Sequence, residues 1–450
     1  MSLFIERSIK EIVDDLKSGR LSSEDVCNAC IESSKRYKKY NAWASYSDDI
    51  IKASYAGEYN DVISKKQNEL TLCGIPVAVK DIFNTYEYPT QMGSVIWKGF
   101  QAGNDARVVY EIKRHGGIVA GKTVTAEFAV HALNETLNPY DITRTPGTSS
   151  SGSAVAVALG IVPIALATQT AGSIIRPSSF CGVFGYVPSF GLVPRTGVLK
   201  TTDSLDTIGF ITSRVDNIGT FLDVISVKGP DYPFVYKVSL DKTRQVRGDR
   251  KWKACFLKTY IWDEAEDYVR DEIEGFVDEL SNDEEIEIVE KDINEIISGA
   301  HEIHGTIYDK SLSYYFENEH HDSKHVSDVM NAMIEHGQKI TPDRFLSALE
   351  KQDNMCIKMD EFMKEYDAII SISASSVAPK RNEIEKRDPS LIWTLLHLPS
   401  VSVPRFIEEK TGLPFGVQIS GRRYNDKLLI GFVQYLEKKG LIPSKIQNML

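Results

Sequence analysis

Apolar residues recur at helical spacing from Ser8 to Gly19, where Ile9, Ile12, Val13 and Leu16 share one face and Gly19 ends the run. Leu21 to Asp25 then carries a serine cap and an acidic first turn, which predicts a second helix over Val26 to Tyr37. Asn41 to Ser64 is polar, contains Trp43 and has a helical tendency. The pattern changes at Leu72. Cys73 to Phe83 is a short apolar run around Lys80, and it predicts a buried strand. An amphipathic helix over Ala106 to His115, the pair Gly116-Gly117 and a strand over Ile118 to Thr123 follow. Ser204 to Gly209 and a helix over Val215 to Val227 continue the alternation, so the expected class is α/β.

Between these elements lies the most unusual stretch, Arg144 to Pro188. The loop Gly147 to Ser153 and the loop Gln169 to Ser173 are rich in serine, glycine and small residues. They bracket Ala154 to Thr168, which is almost wholly small or aliphatic and predicts burial. Gly160 and Pro163 interrupt that run, which is too short to cross a bilayer. Serine–glycine clusters also serve as turns and linkers. A linker, however, does not run straight into a buried segment and a second such loop. The arrangement suits serines and backbone N–H groups presented at the edge of a core.

Composition shifts near Lys228. Asp231 to Arg250 is charged and contains proline, which predicts a surface excursion. Ala254 to Lys258 restarts a strand, Glu264 to Leu280 predicts an acidic helix, and Ile293 to Glu350 is helical, polar and rich in histidine. Tyr366 to Ser373 and Leu413 to Arg422 return to core strands, and Lys427 to Lys439 closes with a helix. The expectation is one domain over 1–450. Its parts are an N-terminal helical layer (1–68), a core (69–228), a variable, largely helical insertion (229–365) and a return to the core (366–450).

The net charge of −11 argues against nucleic acid or an anionic membrane as partner. Met1 to Lys10 carries Glu6, Arg7 and Lys10 without a long apolar core, so no signal peptide is expected, nor is a transmembrane helix. Six scattered cysteines fit a reducing cytoplasm. Cys27 and Cys30 form one CxxC without a second pair, the pattern of two semi-buried residues on a helix face. His321 and His325 have i,i+4 spacing, but no acidic or cysteine complement is fixed beside them, so no metal is expected.

Acyl transfer needs a nucleophile, a base and donors for an oxyanion. His115 sits at a polar helix end and His131 in an apolar setting, neither with an obvious orienting acid. Lys80 is the better base. It ends the apolar run Ile75 to Val79 and precedes Ile82 and Phe83, so desolvation would lower its pKa and leave an amine able to take a serine proton.

Gly74 to Asp81, Pro146 to Ser153, Gln169 to Ile174, Phe180 to Val183 and Leu413 to Gln418 resemble the motifs of the amidase signature family, in its order and spacing. The likeness covers nearly the whole chain. It implies an α/β fold with a large mixed sheet covered by helices on both faces. It also implies a Ser-Ser-Lys triad: Ser173 the nucleophile, Ser149 the bridging serine on a cis peptide, Lys80 the general base. Thr170, Ala171, Gly172 and Ser173 would supply the oxyanion hole, and Ser150 would support Lys80 and Ser149. The expected partner is a small-molecule amide substrate, with no cofactor, nucleic acid or membrane, and homodimers are common among relatives.

Two departures stand out. Many members carry an aspartate and a second glycine before the nucleophile, where this chain has Gln169 and Ala171. Arginine commonly stands two residues after the nucleophile; here Ile175 does, followed by Arg176. That form, with Pro89 to Ser94 and Leu137 to Tyr140, resembles the malonamidase-like branch and makes Arg176 the candidate anchor for a substrate carboxylate, with a structural ion pair as its alternative. Trp262, Tyr308, Tyr314, Tyr315 and Trp393 are candidate walls of the substrate funnel. The other implied functions are a glutaminase subunit of a tRNA-dependent amidotransferase and a non-catalytic descendant of the fold.

Overall fold

The computed structural model describes residues 2–59, 70–226 and 247–447. Most of the expected surface excursion at Asp231 to Arg250 and the end of the polar segment at Asn41 to Ser64 lie outside these residues.

Among the described residues eleven strands form one mixed sheet. They are β1 (Trp43–Ser45), β2 (Pro76–Lys80), β3 (Ile118–Thr123), β4 (Ile164–Gln169), β5 (Phe184–Val187), β6 (Thr207–Thr212), β7 (Trp252–Leu257), β8 (Ile286–Lys291), β9 (Ala368–Ile372), β10 (Ser400–Glu408) and β11 (Leu413–Ser420). Their spatial order is β1-β3-β2-β4-β6-β5-β10-β11-β9-β7-β8. The pairs β2/β3, β2/β4, β7/β9 and β7/β8 are parallel; the middle of the sheet is antiparallel. Every residue of β2, β3, β4, β5, β6, β9 and β11 is buried, so helices and loops cover both faces of the sheet.

The N-terminal helices form where the pattern places them, at Ile9–Ser18 and Ser23–Arg36, each opened by a reciprocal serine–carboxylate cap from Ser8 and Ser22. Losing such a cap costs about 1 kcal/mol. The buried run between the serine loops is two elements: the helix Ser151–Ala158 and strand β4. Gly160 turns the chain between them at a φ of 60°. The segment beyond residue 247 is not purely helical, since β7 and β8 extend the central sheet through β9 before the helices Ala300–Tyr315, Asp328–Lys339 and Pro342–Phe362.

Candidate active site

Lys80 is the last residue of β2, and its side chain is fully buried. Its Nζ lies 2.6 Å from Ser149 Oγ, 3.0 Å from Ser150 Oγ and 3.0 Å from Thr168 Oγ1. No carboxylate among the described residues lies within ion-pair distance. Desolvation therefore pushes the ammonium down to about 7, against a weak opposing pull from Asp206. Ser149 and Ser150 precede the helix Ser151–Ala158, and the Thr148–Ser149 peptide is cis. That helix packs tightly on the end of β3. A side chain on Gly152 would overlap Val124 N and Ala42 O, and Ser153 Oγ meets Thr123 Oγ1 at 2.7 Å. Thr168, in β4, supplies the third hydroxyl; its alternation with Thr170 is the only trace of this role in the sequence.

Ser173 is buried in the loop between β4 and the helix Ile175–Cys181. Gln169 closes this loop. Its Oε1 accepts from the N–H groups of Ile174 (2.8 Å) and Ile175 (3.0 Å), and its Nε2 donates to Thr394 Oγ1 at 2.9 Å. An amide at 169 thus caps the helix as a carboxylate would and also donates. Thr170 Oγ1 donates to Asp206 Oδ1 at 2.8 Å. Among the described residues none accepts a hydrogen bond from the N–H groups of Ala171, Gly172 or Ser173. Gly172 leaves room for a carboxylate, because a Cβ there would overlap Asp388.

Arg176, in the same helix, is buried. Its Nη1 meets Asp388 Oδ2 at 2.9 Å, its Nη2 donates to Thr148 O (2.8 Å) and Thr148 Oγ1 (2.9 Å), and its Nε lies 3.2 Å from Glu385 Oε2. The Nε contact is an ion pair without hydrogen-bond geometry, which leaves that N–H without a hydrogen-bond partner among the described residues. Burial opposes the guanidinium charge, but Glu385 and Asp388 outweigh it and raise the pKa. Arg176 therefore ties the helix Ile175–Cys181 to the serine loop and to the loop 379–390.

A cavity of about 640 Å³ borders this region through Thr148, Ala171, Arg176, His131, His304 and Tyr308, with Leu133, Val329, Met333 and Ile384 farther out. Lys80, Ser149 and Ser173 are not on its wall. Of the five aromatic wall candidates only Tyr308 lines it. Trp262 packs on Phe256, Trp393 is buried, and Tyr314 and Tyr315 donate to Asp203. His131 stands edge-on to Tyr308, and desolvation with the nearby Arg176 charge holds its imidazole down to about 4. His115 ends its helix with Nδ1 2.8 Å from Glu111 O, remote in role from the serine loops. Cys27 and Cys30 are buried free thiols, with Cys30 pushed up to about 12 by desolvation. His325 pairs with Asp322, and among the described residues no cluster of three His, Cys, Asp or Glu could hold a metal.

The residues that sequence reasoning missed are Asp206, Glu385, Asp388 and Thr394. They come from distant segments, and nothing in their local sequence points to the loop they hold.

The family model named Amidase matches residues 25–430, and the chain belongs to that family. A glutamyl-tRNA(Gln) amidotransferase subunit from Legionella pneumophila (strain Corby) is 28% identical, with 96% of each chain covered. Its namesake from Thermotoga maritima has a solved structure at TM-score 0.76, 26% identical over 99% of this chain and 98% of that one. The fold also matches a crystal structure of an amidase at TM-score 0.85, 22% identical, over 96% of this chain and 100% of that chain. As a member of that family, the protein is an amidohydrolase acting on carbon–nitrogen bonds. No helix among the described residues is long and apolar enough to cross a membrane.

Proposed function

We propose that the protein hydrolyses a small or medium carboxamide to a carboxylic acid and ammonia or an amine through an acyl-Ser173 intermediate. The observation that carries this reading is Lys80, a fully buried amine surrounded by hydroxyls and pushed down to about 7. Near neutral pH a large share of it is uncharged. Its lone pair takes the Ser149 proton while Ser149 takes that of Ser173, whose oxygen attacks the amide carbonyl. The N–H groups of Thr170 to Ser173 receive the oxyanion. The proton then passes back through Ser149 to the leaving nitrogen, and the C–N bond breaks. Water, deprotonated by the same relay, attacks the ester and releases the acid and Ser173. Ser150 and Thr168 fix the Lys80 ammonium during the cycle. A carboxylate-bearing substrate would anchor on Arg176 by taking the unpartnered Nε edge in place of Glu385.

A second reading has its own support in relatives that match along 96% of this chain or more and bear the name of one component of an amidotransferase. Here the same chemistry would release ammonia from glutamine inside a complex with partner chains.

The test is turnover of aliphatic and aryl amides, malonamate-like acids and glutamine, with acid and ammonia both measured. Replacing Ser173 by alanine is expected to lower kcat by at least about 10⁴-fold in a folded protein. A folded Ser173→Ala protein with unchanged turnover would remove Ser173 from the mechanism. Turnover of glutamine only with added partner chains would select the second reading.

A further inference from the structure

The oxyanion loop is held from behind in a regular way. In a trans peptide the C=O and the following N–H point to opposite sides. The N–H of Ala171 therefore belongs to the same unit as the Thr170 carbonyl, the N–H of Gly172 to the Ala171 carbonyl, and the N–H of Ser173 to the Gly172 carbonyl. Each of these carbonyls accepts a hydrogen bond. His304 Nε2 lies 2.8 Å from Thr170 O, Thr394 Oγ1 donates to Ala171 O at 2.6 Å, and Arg176 N donates to Gly172 O at 2.9 Å.

The protonation states are fixed by their neighbours. Thr170 O can only accept, so His304 carries its proton on Nε2. Desolvation holds the imidazole down to about 4, which keeps the ring neutral near pH 7. Thr394 accepts from Gln169 Nε2 and so has its own proton free for Ala171 O. Gln169 is fixed in turn by the two helix N–H groups on its Oε1. A hydrogen bond into a carbonyl withdraws charge from the peptide and makes the N–H of the same unit a stronger donor.

We propose that His304 and Thr394 are positioning residues that orient and polarise the peptide units of the oxyanion loop, raising the donor strength of Ala171 and Gly172 N–H toward the tetrahedral intermediate. This rests on the acyl-Ser173 reading above. His304 reaches the loop from the helix Ala300–Tyr315, which also holds the loop 379–390 through His301 Nε2, 3.1 Å from Asp388 O. The insertion thus contributes to the rate and does more than wall a substrate funnel.

The experiment compares His304→Phe, His304→Gln, Thr394→Val and Thr394→Ser with the native chain and Ser173→Ala. Amide turnover, thermal stability and affinity for phenylboronic acid, which forms a tetrahedral adduct with a nucleophilic serine, are measured on each. Removing an oxyanion donor outright costs about 10²–10³-fold. Weakening one through its peptide is expected to cost about ten- to a hundred-fold in kcat for His304→Phe and Thr394→Val, with KM within about three-fold and boronate affinity falling in step. The variants that keep a donor, His304→Gln and Thr394→Ser, should restore most of that loss. Folded His304→Phe and Thr394→Val proteins with native kcat and boronate affinity would overturn the inference. So would equal losses in the variants that keep the donor. A native chain with neither turnover nor Ser173-dependent boronate binding would instead bring down the acyl-Ser173 reading, and this inference with it.

Discussion

Two lysines on neighbouring strands show how one degree of burial gives two chemistries. Lys80 ends β2 and Lys122 stands in β3; both side chains are fully buried. The register pairs Lys80 with Thr123 and Val79 with Lys122, so the two ammonium groups leave opposite faces of the sheet. Lys122 meets the buried carboxylate of Asp81 at 3.1 Å, with Thr90 Oγ1 at 2.9 Å and Pro89 O at 3.1 Å. Desolvation lowers its pKa, and Asp81 works against that shift. Among the described residues Lys80 has hydroxyls only. Burial unopposed by a close carboxylate makes a base near neutrality, whereas burial beside one makes a structural ion pair. The difference lies in one neighbour, not in depth.

Exchanging each lysine for methionine tests this directly and carries the largest expected effects. Lys80→Met is expected to lower kcat/KM by about 10²–10⁴-fold, the usual worth of a general base, without loss of melting temperature. Lys122→Met leaves the Asp81 carboxylate buried without a partner and is expected to destabilise the fold by about 3–5 kcal/mol, read from denaturant melts. If Lys80→Met unfolds the chain while Lys122→Met stays folded but inactive, the two roles are reversed.

The pH profile sharpens the same contrast. In the proposed mechanism Lys80 acts as the neutral amine, so kcat/KM should fall about ten-fold per unit as pH drops below about 7. Stability carries the same signature. The folded pKa lies below the ordinary 10.5, so the unfolded chain binds more protons between about 7 and 10.5, and the Lys80 contribution to stability rises with pH across that window. Melting temperatures across that range should show a smaller rise in Lys80→Met than in the native chain. An acid limb unmoved from the carboxylate range would deny Lys80 the role of base.

The smallest effect concerns the hydroxyls. Replacing Thr168 by valine removes an acceptor for the ammonium, which disfavours the charged form. The acid limb should move down by less than about one unit and the rate by about ten-fold at most. A limb that moves up would mean that Thr168 does not accept from Lys80.

Much of this was written in the chain. The alternation of helix and strand, the helices at Ile9–Ser18 and Ser23–Arg36 and the apolar run into Lys80 are local patterns, and local patterns survive folding. Five strands escaped the pattern: β4, hidden in a buried run of small and aliphatic residues, and four that are short or atypical. β1 has three residues, β5 has four and contains Gly185, β8 is half-exposed, and β10 carries Pro404. The serine loops announced themselves by composition, and their order beside the later motifs pointed to the family.

What the sequence alone determined is therefore the fold class, the buried lysine and the two loops that bracket a buried run, because each depends on residues close together in the chain. Tertiary structure alone decided which hydroxyls surround Lys80, that Asp81 goes to Lys122 and not to Lys80, and that Arg176 meets Asp388 and Glu385. It also brought Thr394 and His304 to one loop from segments more than a hundred residues away. Electrostatics and hydrogen bonding act over a few ångströms of space. Neighbours that set a pKa or aim a peptide are chosen by strand register and helix packing, which no local pattern records.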